Sequence, residues 1–291
     1  MNSMKNLSVK LDGLSTVPTR YFSYYLLNRP LFLSLIRTKE IELLRKYARL
    51  KGKTLDFGCG DGFFMRSLMK FAPNIFKESQ IIGVDVICHS RESGNPWIPG
   101  ISPRSGPFGA SLNPRMTDGV YNKLIKYDGI TLPFKDNSFD TVFSNCVFEH
   151  LPYLEKNLQE MHRVLKPNGR LITTVMAEPW NRYNLLPSAF WRKVQIHLNL
   201  LTHSQWSKLF QKNGFRVVRK VGYLNKTQSR IIELSHFLSV PYLISYKLFG
   251  RWDTFGGLYN ALVPKKLITT IFSHQPKLSE SAAIYFELEK N

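Results

Sequence analysis

Seven residues, Asp56-Phe57-Gly58-Cys59-Gly60-Asp61-Gly62, constrain this chain more than any other stretch. They follow a short apolar run at 53–57 and lead directly into 63–71 (FFMRSLMKF), whose apolar spacing is helical. Glycines at alternate positions let a backbone come very close to a ligand. In a sheet of alternating strands and helices, such a first strand-to-helix turn lies at the carboxyl edge, where ligands bind. The spacing is GxGxG. Phe63 stands where a dinucleotide-binding loop needs its third glycine, which argues against a nicotinamide dehydrogenase, and no P-loop lysine follows.

The segments after this loop keep alternating. Residues 80–86 (QIIGVDV) are β-branched and end near Asp85 and Val86. Residues 124–127 lead into Asp128-Gly129, and 140–146 (DTVFSNC) form the next strand. Leu154, Leu158, Met161 and Leu165 make one apolar stripe on a helix over 152–166, closed by Asn168-Gly169. On that helix His162 falls off the stripe and is expected to be solvated. Strands follow at 170–176, 215–223 and 282–289, with a helix at 204–212. The pattern predicts an α/β fold: a doubly wound, seven-stranded, mostly parallel sheet with helices on both faces.

Two stretches break the alternation. Residues 88–115 hold 5 Pro, 4 Gly and 5 Ser, and stand where the alternation needs a helix. They read as an exposed, mobile insertion, and HSRESGNP within them resembles the translation of a dispersed bacterial repeat element. Residues 116–123 would be what remains of the helix. Residues 224–279 are apolar and aromatic with scattered lysines, and read as a helical insertion. The expected organisation is a basic N-terminal helical cap (1–52), a ligand-binding domain (53–223 with 280–291, including a lid at 178–204) and the 224–279 insertion.

Charge follows the same division. The net charge of +19 divides into +8 over residues 1–54, +1 over 55–176 and +10 over 177–291. Basic flanks attract anionic partners such as phosphates, anionic lipid or nucleic acid, although an ordinary lysine-rich surface explains them as well. Three cysteines without a CxxC pair support neither a metal site nor a disulfide framework, so a reducing, cytoplasmic compartment is the default. No signal peptide and no spanning segment is visible.

The residues from 54 to 176 resemble a class I S-adenosylmethionine-dependent methyltransferase of the small-molecule type. The likeness rests on the DxGCGxG loop at 56–62, LPFKDNSFD at 132–140 and VLKPNGRL at 164–171, and it extends more weakly through 205–218. It implies a Rossmann-like fold and S-adenosyl-L-methionine as cofactor. Asp56, Gly58, Cys59, Gly60, Asp61 and Gly62 would shape the loop under the methionine part. Asp85, with Val86, would hold the ribose hydroxyls; Asp128 and Gly129 would meet the adenine; Asn145 and Cys146 would line the methionine side. No metal is implied.

The reaction expected from the resemblance is in-line methyl transfer, with O-methylation of a small-molecule or lipid-linked acceptor as the leading reading. His150, at the same edge, is the candidate base. Trp180, Tyr183, Phe190, Trp191 and Trp206 suit a substrate lid or ordinary core packing equally. Apolar faces mixed with Lys247, Arg251 and the basic pair in ALVPKKLITTIF (261–272) suggest peripheral contact with an anionic membrane, on its inner face. An RNA or tRNA methyltransferase is the first alternative. It lacks a recognisable RNA-binding module, and Ser144-Asn145-Cys146-Val147 stands where base-amino methylation wants Asn-Pro-Pro-Tyr, so nucleic acid is the weaker partner. A vestigial binding protein, crippled by the 88–115 insertion, is the second.

Overall fold

The computed structural model describes residues 17–86, 119–186, 197–242, 244 and 255–291. The expected insertion at 88–115 lies outside these residues, as do Phe190, Trp191, Lys247 and Arg251.

Seven strands form one sheet: β1 (Leu50–Phe57), β2 (Phe76–Asp85), β3 (Lys123–Lys126), β4 (Phe139–Asn145), β5 (Leu165–Met176), β6 (Phe215–Tyr223) and β7 (Ala283–Lys290). Their order across the sheet is β3-β2-β1-β4-β5-β7-β6. Neighbours from β3 to β5 are parallel, and β7 runs antiparallel to both β5 and β6. The chain reverses direction across the sheet between β1 and β4, which is the crevice where open α/β sheets bind ligands.

The interior strands are buried on both faces, as parallel strands require. Their side chains sort with period two. Phe143, Ile172 and Tyr285 enter one core, whereas Val142, Leu171, Ile284 and Phe286 enter the other. The second core is closed by α4 (Leu154–Val164), through Leu154, Leu158 and Met161, and by α6 (His203–Lys212), through Trp206 and Phe210. A Thr202–Gln205 capping box fixes the start of α6. The first core is closed by α1 (Val17–Asn28), α2 (Leu31–Tyr47) and α3 (Phe63–Phe71).

Several expectations change here. The N-terminal helices are not a basic cap laid on the domain. Tyr21, Phe22, Leu26, Leu35 and Leu44 are buried and belong to the sheet's own core. Trp206 is fully buried and its indole N–H donates to the Met176 carbonyl at 3.1 Å, and Trp180 is buried too, so both are core rather than lid. His162 is only partly solvated: its ring packs edge-on against Phe215 at 5.4 Å, over a turn where a Cβ on Gly214 would strike it. Residues 119–122 are not a helix remnant. Gly119 and Val120 form a turn, and Asn122 bonds to Ile81 on β2 through its backbone and its side chain.

Among the described residues the remaining helices are α5 (Pro179–Tyr183) and three from the second insertion: α7 (Lys226–Leu238), α8 (Gly256–Leu262) and α9 (Lys265–Ser273). Helix α7 rests on α2, α8 on α1 and α9 on both, while α5 packs against α7. Because Trp206 joins the α6 core to β5 by both volume and a hydrogen bond, Trp206→Ala should destabilise the protein by about 3–5 kcal/mol. Denaturant unfolding would read this as a fall in midpoint with little change in slope.

Candidate functional site

At the end of β1 the chain turns through left-handed backbone at Gly58 (φ +73°), Gly60 (φ +53°) and Gly62 (φ +70°). The loop hangs on β2: Gly58 N–H and Cys59 N–H both donate to the Val84 carbonyl, at 2.8 and 3.2 Å. Asp85, one residue on, takes the Gly60 N–H on its carboxylate at 2.8 Å. The two positions differ in their surroundings. A Cβ on Gly58 would strike Val147 at 2.5 Å, whereas one on Gly60 would meet none of the described residues within 4 Å. Gly58 is there for the fold. Gly60 opens on free space, which is a cradle for a ligand lying on bare backbone.

The charges around the cradle are acidic. Asp56 is buried and accepts a hydrogen bond from the Tyr121 hydroxyl at 2.6 Å. Burial, reinforced by the nearby charge of Asp85 and opposed by the Tyr121 bond, pushes its carboxyl up to about 7. Two carboxylates flanking an open glycine suit a cationic ligand, as a sulfonium with an ammonium group is. Asp61 faces away from this role. It pairs with the buried Arg29, whose guanidinium lies over the Phe63 ring at 4.2 Å, and it accepts from Phe63 N–H at the start of α3. Gly62 is the left-handed cap of α3 and Cys59 is buried, so both shape the loop.

Asp128 and Gly129 follow β3 at the same edge. Asp128 is exposed, and its Oδ1 accepts from Thr131 N–H at 2.6 Å and Ile130 N–H at 2.8 Å. Those bonds hold its carboxyl below the ordinary range. Gly129 (φ +89°) is fixed by Asn157, whose Nδ2 donates to its carbonyl at 3.0 Å. Val86 packs against the second core. Asp85 and Asp128 both act electrostatically on Tyr127, whose backbone N–H donates to the Asp85 carbonyl at 3.2 Å.

The other side of the cradle was only half legible. Asn145 and Cys146 stand at the end of β4 as expected, with Cys146 in left-handed backbone (φ +51°). Both bond to Glu40, which α2 brings across from the N-terminus: Asn145 Nδ2 donates at 2.9 Å and Cys146 Sγ at 3.0 Å. The Tyr223 hydroxyl, from the end of β6, also donates to Glu40 at 3.0 Å, and Arg37 is its ion-pair partner. Glu40 is fully buried. Sequence reasoning missed it, although its position, four residues after Ile36 and three before Leu43, lies on the apolar stripe of α2.

His150 does not enter this cluster. It is exposed at the end of a 3-10 turn (Phe148–His150), with its ring stacked on His197 at 5.0 Å. Burial first, and His150 second, lower His197 to about 3, which keeps it neutral. The preceding Glu149 is the buried group. Its side chain has no exposure, and neither carboxylate oxygen has a hydrogen-bond partner among the described residues. Burial pushes its carboxyl up, while the charges of His150 and Arg37 oppose the shift. Among the described residues no group of His, Cys, Asp and Glu could hold a metal.

Residues 27–220 match a family model described as "Methyltransferase domain". Among curated relatives, a demethylmenaquinone methyltransferase of Desulfitobacterium hafniense is 48% identical over 52 residues, covering 18% of this chain and 21% of that protein. A sterol 4-C-methyltransferase of Caenorhabditis elegans is 29% identical over 120 residues, covering 40% and 29%. The chain spans less than two thirds of the length of such relatives. A solved structure from Thermotoga maritima, described as a SAM-dependent methyltransferase and possible histamine N-methyltransferase, aligns with a TM-score of 0.53. It is 19% identical, over 90% of this chain and 92% of that one, and shows the same fold.

The raised Asp56 carboxyl sets a pH dependence. An acid whose folded value lies above its unfolded value of about 3.9 favours the folded state at low pH, and that contribution is lost as pH rises through about 7. The ligand-free protein should therefore lose stability between about pH 4 and pH 7, and Asp56→Asn should flatten that slope in denaturant titrations at each pH.

Proposed function

The chain belongs to the S-adenosylmethionine-dependent methyltransferases, and from that premise we propose that it transfers a methyl group to a hydroxyl of an amphiphilic small-molecule or lipid-linked acceptor. The observation that carries the cofactor's place is the open Gly60 backbone between Asp56 and Asp85. When bound there, the cofactor supplies a sulfonium-activated methyl group. Asp85 and the loop amides would hold its sugar side, Asp128 and Gly129 its base, and Asp56 the cationic amino-acid end.

The acceptor side falls to the groups that α2, β4 and β6 bring together. Transfer to a hydroxyl would leave the methyl group on the acceptor oxygen and the displaced electron pair with the departing thioether. The acceptor must give up its hydroxyl proton. Glu149, buried and without a hydrogen-bond partner among the described residues, suits that task better than the exposed His150. A carboxyl raised by burial works as a base closer to neutral pH than an ordinary one. Holding reactants in line can supply roughly 7–11 kcal/mol, so the Glu40 cluster that fixes the wall is proposed to matter alongside the base. Support for an amphiphilic acceptor comes from the relatives whose names give demethylmenaquinone and a sterol as the compounds methylated.

Incubation with methyl-labelled donor and fractionated cell extract tests the reading. Label should enter the solvent-extractable fraction; label in RNA instead would support the nucleic-acid alternative, and no donor binding at all would support the vestigial one. Two variants sharpen it. Gly60→Ala should cost only about 1–2 kcal/mol of stability, because the position is left-handed but roomy, yet weaken S-adenosylhomocysteine binding at least ~10-fold in calorimetry. Glu149→Gln should leave that binding unchanged and lower kcat by about 10²–10⁴.

A further inference from the structure

The second insertion carries its polarity the wrong way round. On α7 the buried residues are Gln228, Ser229, Glu233 and Ser235 along with Ile232, whereas Leu234, Phe237 and Leu238 are exposed. Positions 234, 237 and 238 lie one above another on a single helical face. Apart from the Ser229 hydroxyl, which has no partner among the described residues, the inward polar groups are satisfied. Gln228 Nε2 donates to the carbonyls of Ile271 and His274, Glu233 accepts from the amides of Leu185 and Leu186, and Ser235 Oγ donates to the Ile232 carbonyl. The burial of Glu233 and Gln228 fixes which face looks outward, so the apolar face is built in and not a packing accident.

The same character continues on the neighbouring helices. The Tyr259 hydroxyl of α8 donates to the Leu238 carbonyl, and Gln228 ties α7 to the end of α9. Leu258 and Leu262 on α8 and Leu267 on α9 are 56%, 72% and 58% exposed. Of the twelve large apolar side chains exposed among the described residues, eight lie between positions 234 and 267. Such concentration on one linked layer exceeds the scattered apolar exposure of an ordinary surface.

Charge says what covers this face. Among the described residues from 226 to 277 the sole carboxylate is Glu233, and it is buried, while Lys226, Arg230, Lys265, Lys266 and Lys277 are basic. Lys265 and Lys266 line a shallow depression with Pro264, Thr270 and one of the exposed leucines, Leu267. An apolar face rimmed by lysine, with no exposed acid among the described residues, is complementary to anionic lipid, with side chains entering the acyl boundary and ammonium groups meeting phosphates. No helix among the described residues is long and apolar enough to cross a membrane.

We propose that α7, α8 and α9 form a docking surface for an anionic lipid bilayer, lying on it without spanning it. This surface stands independently of the methyl-transfer reading.

The test is sedimentation of the full chain with phosphatidylcholine vesicles, with and without about one third phosphatidylglycerol, at low salt and at ~0.5 M salt. The protein should pellet with the anionic vesicles at low salt and stay in solution with the neutral ones. Phe237→Ser combined with Leu238→Ser, and separately Lys265→Glu with Lys266→Glu, should each weaken partitioning at least ~10-fold. All four side chains lie outside the core, and unchanged S-adenosylhomocysteine binding would show that fold and cofactor site survive. Protein that stays soluble with both vesicle types overturns the proposal. A dimer in the absence of vesicles that Phe237→Ser with Leu238→Ser dissolves, without vesicle binding, also overturns it and assigns the face to a second copy of the chain.

Discussion

The structure depends on a short length of bare backbone held open between two strands. Gly58 must be glycine because Val147 leaves no room for a side chain. Gly60 has room, and its amide is fixed by the carboxylate at the end of β2. Close packing beneath the loop and empty space above it are what let a ligand lie directly on the chain. The buried Asp56 carboxyl beneath, held near neutrality when no cation is present, gives that space its chemical preference. A cationic ligand would repay part of the cost of ionising it.

The opposite wall is assembled from far apart in sequence. Glu40 on α2, Asn145 and Cys146 after β4, and Tyr223 at the end of β6 converge on one carboxylate. A buried charge with three donors and an arginine is costly to disturb and specifies geometry more than it adds stability. It makes the N-terminal helices part of the site as well as of the core. Arg29 does the same on the near side by bracing Asp61 and Phe63.

Much of this was legible from residue patterns. The glycine loop, the α3 helix at 63–71, the alternation through β7 and Asp85 at the end of β2 follow from local periodicity and turn chemistry, whereas Asp128, Asn145 and Cys146 were singled out by the family resemblance. What local pattern does not reveal is pairing over long separations. Glu40 sits 105 residues from Asn145 in the chain and 183 from Tyr223, so only the fold shows that they meet. The basic composition of the N-terminal segment suggested a surface cap because charge was weighed over its apolar stripe. His150 drew attention as a titratable residue at the correct edge, yet a one-residue step around a 3-10 turn puts Glu149 inside and His150 out. In the second insertion, the mixture of apolar and basic residues was visible, but not which face of α7 turned inward.

Hydrogen exchange with and without saturating S-adenosylhomocysteine tests the central claim most directly. Slowed exchange of the backbone amides at 58–62, together with 84–86 and 127–131, is the expected result, because the ligand would cover the glycine loop and the ends of β2 and β3. Exchange left unaltered in all three segments would contradict it.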